Sequence, residues 1–327
     1  MATYKQIYGT NVEVLASDPS NPVEGQIWYN STSQTLKGYA LVAGSWATSG
    51  PLNTGRNSFS GSGTQTAGLV FGGYTPPTAT GATESYNGTA WTTLPASMNT
   101  ARLSSASAGA TNTAALVIGG ETITPAANVT NVEIWNGTSW TETGDITIAN
   151  KNQGGAGTST AALEFGGGPP IVANTESWNG TSWTELNDLN NATSQNGGCG
   201  ATNTAALSFS GTDSVGSPTA KTESWNGTSW TVVNSVNTAR RGLAGNRVGS
   251  QTLALCVGGT NPPTLFANTE SWNGTAWTEV NALNIARGSL AAIGNSTAAL
   301  AAGGSPSASA TEEWSGPAVQ SVNITVS

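Results

Sequence analysis

The sequence contains no histidine. That removes Ser-His-Asp and Cys-His catalysis, histidine-ligated zinc and imidazole proton shuttling from consideration. Cysteine is nearly absent. Cys199 and Cys256 lie far apart and fall in different repeats, so they read as two small buried thiols, with a disulfide left open. Charged residues are only 9% of the chain, and Lys+Arg 10 against Asp+Glu 18 leaves a net charge of −8. Such an acidic chain does not suit duplex nucleic acid, which rewards clustered Lys and Arg. Aspartate occurs only at Asp18, Asp145, Asp188 and Asp213, with no paired spacing for glycoside hydrolysis. No apolar run approaches the ~18 residues that cross a membrane. The opening "MATYKQIYGT" lacks the apolar stretch of a signal peptide. The expectation is a protein without catalytic residues, metal, cofactor, nucleic-acid partner or membrane insertion.

What the chain has in quantity is tryptophan, glycine and repetition. Twelve Trp in 327 residues argue for a packed protein. "TESWNGTSWTE" begins at Thr175, and close copies begin at Thr83, Thr222 and Thr269. The second Trp of each unit falls at Trp46, Trp91, Trp140, Trp183, Trp230 and Trp277, giving spacings of 45, 49, 43, 47 and 47. Each unit runs in one order. A basic residue is followed by a small-residue run, an apolar run ending in Gly-Gly, a loop, Thr-Glu-Ser-Trp, Asn-Gly and the second Trp. The apolar run is short and continuous, as in a strand buried on both faces. The small-residue run suits an inner strand crowded round an axis. Asn-Gly between two alternating segments is a strong hairpin signal, because a type I′ turn needs φ > 0 at both central positions. Four strands per repeat, arranged in a ring, describe a β-propeller.

The order Arg, Gly-Gly, Glu-x-aromatic, Trp resembles the kelch repeat, and the resemblance covers about residues 46–327. Two features depart from it: the first aromatic is mostly Trp, and Ser210-Gly211 replaces one glycine doublet. Glycine-doublet strands end at Gly73, Gly120, Gly167, Gly211, Gly259 and Gly304, and Glu-x-aromatic strands at Tyr86, Trp135, Trp178, Trp225, Trp272 and Trp314. The fold expected is therefore all-β, a six-bladed kelch-type β-propeller over 46–327 with an N-terminal extension, 1–45, carrying a hairpin. The last outer strand is missing after Trp314. "GSWATS" around Trp46 supplies it in the more economical reading, and "AVQSVNITV", 318–326, in the other.

Residues 18–39, "DPSNPVEGQIWYNSTSQTLKGY", resemble a segment common in bacteriophage virion and tail-fibre proteins, especially marine ones. That resemblance implies a structural component of a phage particle: a tail fibre, baseplate or head-surface protein. Its N-terminal segment would contact other virion proteins, and its propeller would meet a host surface glycan or receptor. A carbohydrate-active virion enzyme is the alternative. Some kelch propellers are copper oxidases, but their copper site needs histidines.

Loops after the glycine doublets run 9, 11, 7, 10, 9 and 6 residues, while the Asn-Gly turns opposite are nearly identical. Variable loops on a rigid scaffold carry function. Tyr74, Pro76, Ile171, Leu265 and Phe266 are the candidate contact residues, set against simple drift in unconstrained loops. Arg56, Arg102, Lys151, Arg240, Arg241 and Arg287 open inner strands on that same face. They are candidates for a cationic ring holding an anionic ligand. The plainer reading pairs them with Glu84, Glu133, Glu176, Glu223, Glu270 and Glu312 as part of the fold.

Overall fold

The computed structural model describes residues 12–246 and 248–325. Residues 1–11, on which the signal-peptide reading rests, lie outside the described residues. The chain divides into two compact units, residues 45–315 and residues 1–44 with 316–327.

In the larger unit, six sheets of the same kind follow one another among the described residues. Sheet I holds Ser60–Thr64, Ala67–Phe71, Thr83–Tyr86 and Trp91–Thr93, each antiparallel to the next. Sheets II to V repeat this pattern, with inner strands Ala106–Thr111, Gly154–Gly157, Gly197–Thr202 and Ala244–Gly245. Sheet VI holds Ala291–Gly294, Ala298–Ala302, Thr311–Ser315 and, from the other end of the unit, Ser45–Ser49. Each inner strand packs against the next, and that of sheet VI packs back on Ser60–Thr64. The larger unit is a β-propeller.

The small-residue composition of the inner strands has a direct cause. A Cβ on Gly198 would lie 2.6 Å from the carbonyl oxygen of Gly155, and one on Gly245 would lie 2.4 Å from that of Gly198. Backbones of neighbouring blades touch there, and a side chain has no room.

Two rings of backbone hydrogen bonds join the blades. Near the axis, Ser104 N–H donates to Ser58 O, Asn152 to Ser104, Gln195 to Asn152, Gly242 to Gln195, Ser289 to Gly242 and Ser58 to Ser289, at 2.7–3.1 Å. All six residues have φ between 53° and 60°. Further out, the second glycine of each doublet donates to a carbonyl of the next blade. Gly73 reaches Arg102, Gly120 Asn150, Gly167 Thr193, Gly211 Arg240, Gly259 Arg287 and Gly304 Arg56, at 2.7–3.0 Å.

The repeated Thr-Glu-x-Trp now has a physical account. The two aromatics of each hairpin stand opposite one another, as Trp178 with Trp183 at 5.5 Å between ring centroids. The outer Trp then crosses to the preceding blade, where its indole N–H donates to the Thr that opens the third strand. Trp140 reaches Thr83, Trp230 Thr175, Trp277 Thr222, Trp46 Thr269 and Trp91 Thr311, at 2.9–3.1 Å. The same position in blade II is Val132, and Trp183 Nε1 is buried without a partner.

Ser45–Ser49 closes the ring because it carries the needed tryptophan. Trp46 lies opposite Trp314 with ring centroids 5.4 Å apart. The other candidate, Ala318–Asn323, pairs instead with Thr35–Val42. The assignment of 46–327 to the propeller is corrected accordingly: the residues after Ser315 belong to the smaller unit.

That smaller unit is a sheet in the order Glu13–Leu15, Ile27–Asn30, Thr35–Val42, Ala318–Asn323, with the first pair parallel. Its organising group is Asp18. The carboxylate accepts from Lys37 Nζ at 2.7 Å, Asn30 Nδ2 at 2.7 Å and Trp28 Nε1 at 3.1 Å. The bonds from Lys37, Asn30 and Trp28 pull its pKa down to about 2. The Asp, Trp-x-Asn and Lys of the "DP…WYN…LK" segment are thus one hydrogen-bonded cluster.

Three outcomes are expected. Val132→Thr should supply the acceptor that Trp183 lacks and raise stability by about 1 kcal/mol, read as an increase in the urea midpoint. Five sister positions show that Thr fits there. Removing residues 1–50 should leave Thr311–Ser315 as an open edge and yield aggregated or unfolded protein. Removing 318–327 should leave a cooperative propeller unfolding transition in calorimetry.

Candidate functional site

The segments leading into the inner strands lie on the face that carries the post-doublet loops. Asn53-Thr54-Gly55-Arg56, Asn99-Thr100-Ala101-Arg102, Asn237-Thr238-Ala239-Arg240 and Asn284-Ile285-Ala286-Arg287 share one arrangement. The guanidinium meets the third-strand glutamate: Arg56–Glu84 at 2.5 Å, Arg102–Glu133 at 2.7 Å, Arg240–Glu270 at 2.7 Å and Arg287–Glu312 at 3.2 Å. All four pairs are fully buried. The carboxylates also accept backbone N–H groups of the incoming segment, such as Asn53 N at 2.8 Å and Asn284 N at 2.7 Å. These arginines therefore do not form a solvent-facing cationic ring. Lys151 is partly exposed and pairs with Glu121 at 2.6 Å, and Arg241 is half-buried.

Two blades depart from this pattern, and sequence reasoning passed over both. In blade III the arginine position is Asn150, whose amide donates to Gly166 O at 2.5 Å. Glu176, left without a guanidinium, accepts from Thr147 N and Ile148 N. Across the strand pair from it stands Glu164, buried, with one carboxyl oxygen lacking a partner. Burial, and then the charge of Glu176, push the Glu164 carboxyl well above the ordinary carboxylate range. Burial thus favours the neutral form of Glu164, which stands opposite Glu176 as Cys256 stands opposite Glu270 in blade V. In blade IV the arginine position is Thr193, and a cavity of about 200 Å³ remains beside it.

At the mouth of the axis lies a second, open cup of about 190 Å³, to which every blade contributes two residues. Its rim is the hydrogen-bonded ring of Ser58, Ser104, Asn152, Gln195, Gly242 and Ser289. Behind the rim, Leu243, Leu290 and Phe59 from the consecutive blades V, VI and I make an apolar half, while Ser105, Gln153 and Asn196 from blades II to IV make a polar half. No titratable side chain lines it. It can offer hydrogen bonds on one side and apolar contact on the other. Nothing in the sequence repeats marked this cup, because its residues vary between blades and their shared property is a backbone conformation.

The loops round the cup have fixed bases and free tips. Asn57 and Tyr74 exchange backbone hydrogen bonds at 3.1 and 2.8 Å, and Leu103–Glu121, Arg241–Thr260 and Gly288–Ser305 do the same. Tyr74–Thr75 with Thr78–Ala79, and Thr260–Asn261 with Thr264–Leu265, are small hairpins turned at Pro76-Pro77 and Pro262-Pro263. Of the loop candidates, Pro76 and Leu265 are exposed, and Tyr74, Ile171 and Phe266 are half-buried. Val215, in the blade IV loop, is 83% exposed and was not among them. Cys199 and Cys256 are buried thiols, and burial pushes Cys256 up to about 11.

The fold thus defines the class, a β-propeller with an axial cup and variable loops on one face. A solved structure titled "Structure of YjhT" matches it with a TM-score of 0.66 at 13% identity, over 84% of this chain and 96% of that one. At that identity the likeness is one of fold. With 380 solved chains matching, the fold is widely shared and does not choose a function. No protein-family model matches the sequence, and no curated protein matches it.

The blade III carboxyl gives a pH prediction. Below the unfolded carboxylate value of about 4.3, Glu164 is protonated in both states and costs nothing. As pH rises above it, the unfolded chain releases a proton that the folded chain keeps, so stability falls until the raised folded value is passed. Glu164→Gln should therefore leave the melting temperature unchanged near pH 4 and raise it at pH 7. Thermal melts across that range check it.

Proposed function

We propose that this chain is a non-enzymatic structural component of a bacteriophage particle, a tail fibre or another exposed virion protein, whose six-bladed, kelch-type propeller binds a host surface glycan or receptor. The observation that carries the binding reading is the axial cup. Its split into an apolar and an amide-and-hydroxyl half suits an uncharged sugar ring, which presents C–H groups on one face and hydroxyls at its edges. Glycoside hydrolysis needs two carboxyl groups flanking the bond, and the residues lining the cup include none. The variable loops around the cup supply specificity, with Leu265 the most apolar tip. Support for the virion assignment is the resemblance of residues 18–39, whose Asp18, Trp28, Asn30 and Lys37 form one cluster in the smaller unit. That unit would dock to other virion proteins.

Replacing the Thr260–Asn268 loop with the shorter Ser305–Ala310 loop should keep the fold, since loop length costs little. It should weaken adsorption to host cells by at least tenfold, because it removes Leu265 and Phe266; burying a side chain of this kind is worth about 1.5–3 kcal/mol. Adsorption equal to wild type, with loss of binding on substitution at Asn273-Gly274 instead, would place the contact on the opposite face. Incubation with host polysaccharide tests the alternative: shortened chains on size exclusion would make the protein an enzyme.

A further inference from the structure

The cavity in blade IV is the vacated site of an arginine, and the sister blades serve as its template. Where arginine is present, its side chain bonds the carbonyl two residues earlier, as Arg102 does with Thr100 O and Arg240 with Thr238 O, and, in one blade or another, three further acceptors. The first is the third-strand glutamate. The second is a carbonyl of the second strand, Cys256 O for Arg240 and Ala301 O for Arg287, both at 3.2 Å. The third is the carbonyl of the first doublet glycine, Gly72 O for Arg56 at 3.2 Å. The equivalents in blade IV are Glu223, Ser208 and Ser210. All three are buried, and all three line the cavity, as does Thr193 where the arginine would begin. The acceptors remain, and the donor is gone.

What holds Glu223 instead is an exchangeable substitute. Asn191 stands where blades I, II and V have Thr54, Thr100 and Thr238. Its side-chain amide donates to Glu223 Oε1 at 2.9 Å, the oxygen that accepts the guanidinium in the sister blades. Lys221, at the mouth, donates in turn to Asn191 Oδ1. Lys221 is exposed and Asn191 half-buried, so both can swing aside without unpacking the blade. Of the charged groups on the cavity wall, Glu223 and Asp213 are acidic and Lys221 is basic, which leaves an excess of negative charge.

We propose that the blade IV cavity binds the guanidinium group of an arginine-like ligand. The guanidinium displaces the Asn191 amide from Glu223 and takes the place that Arg56, Arg102, Arg240 and Arg287 occupy in their own blades. A planar fork of N–H donors matches a carboxylate with flanking carbonyls better than an ammonium does. The site is separate from the axial cup and stands whether or not the cup binds a glycan.

The test is calorimetric titration of the full chain with agmatine, with putrescine, which carries an ammonium where agmatine carries its guanidinium, as the counterpart of equal charge. Agmatine should bind once per chain and at least tenfold more tightly than putrescine. Asn191→Thr, which removes the competing amide, should tighten agmatine binding. Thr193→Arg, which restores the chain's own guanidinium, should abolish it; if that variant fails to fold, Ser208→Leu, which fills the cavity from another wall, should do the same. A capped Gly-Arg-Gly peptide that binds as well as agmatine assigns the source to an arginine of a partner protein; agmatine binding alone assigns it to a small molecule. Agmatine affinity weaker than about 10 mM, or unchanged in Thr193→Arg and Ser208→Leu, overturns the proposal.

Discussion

One backbone hydrogen bond per blade holds the propeller in register, and most of the repeat exists to position it. The second glycine of each doublet gives its N–H to a carbonyl at the start of the next blade. Its φ of 96–113° and the close approach of the neighbouring chain both demand glycine. The accepting carbonyl belongs to the residue at the arginine position. Where arginine stands there, its guanidinium is anchored on the blade's own glutamate, and that glutamate also caps the incoming turn. Arginine, glutamate and the glycine doublet are therefore parts of a single joint. Losing the arginine or the glutamate alone would strand a buried charge, at a cost of about 3–5 kcal/mol.

The joint tolerates more than one solution. Blade III replaces the guanidinium with an amide and sets a buried carboxyl, Glu164, opposite its glutamate. Blade IV replaces it with a threonine and leaves the space open. Ser210, in place of the first glycine there, adopts φ of 60° and sends its hydroxyl to Arg240 O at 2.6 Å, reinforcing the joint from the other side. The backbone ring runs through both blades unchanged, with Gly167 N to Thr193 O and Gly211 N to Arg240 O. Side chains at the joint are thus free to diverge as long as the carbonyl stays in place.

Much of this was legible in the sequence because it repeats. Four strands per unit, the Asn-Gly hairpin and the Trp pairs followed from spacing and turn chemistry. Closure through Trp46 followed from counting strands, and the structure supplies the physical reason: that segment carries the aromatic that faces Trp314. The destination of 318–323 was not legible. Its alternation of apolar residues suits either sheet, and only the pairing of Leu41 with Val319 and its neighbours separates them. The axial cup escaped notice because Ser58, Asn152 and Gln195 share a left-handed backbone and no side-chain type. Blade III was masked by its neighbour, since Lys151 sits one residue beyond Asn150, the true equivalent of the arginines, and blade IV offers only Thr193 at that position.

The closing strand has a temporal side. Ser45–Ser49 precedes its partner Thr311–Ser315 by 266 residues, from 45 to 311. At ~5–20 residues per second of synthesis, that strand waits on the order of 15–50 seconds before its partner exists. Thr35–Val42 waits still longer for Ala318–Asn323. Throughout that interval the nascent protein carries a β-edge with nothing beside it. The waiting segment is "SWATS", one tryptophan among small and mostly polar residues, which is a poor template for pairing with other chains. The sequence that latches the finished ring is also one that stays inert until the ring is there to be latched.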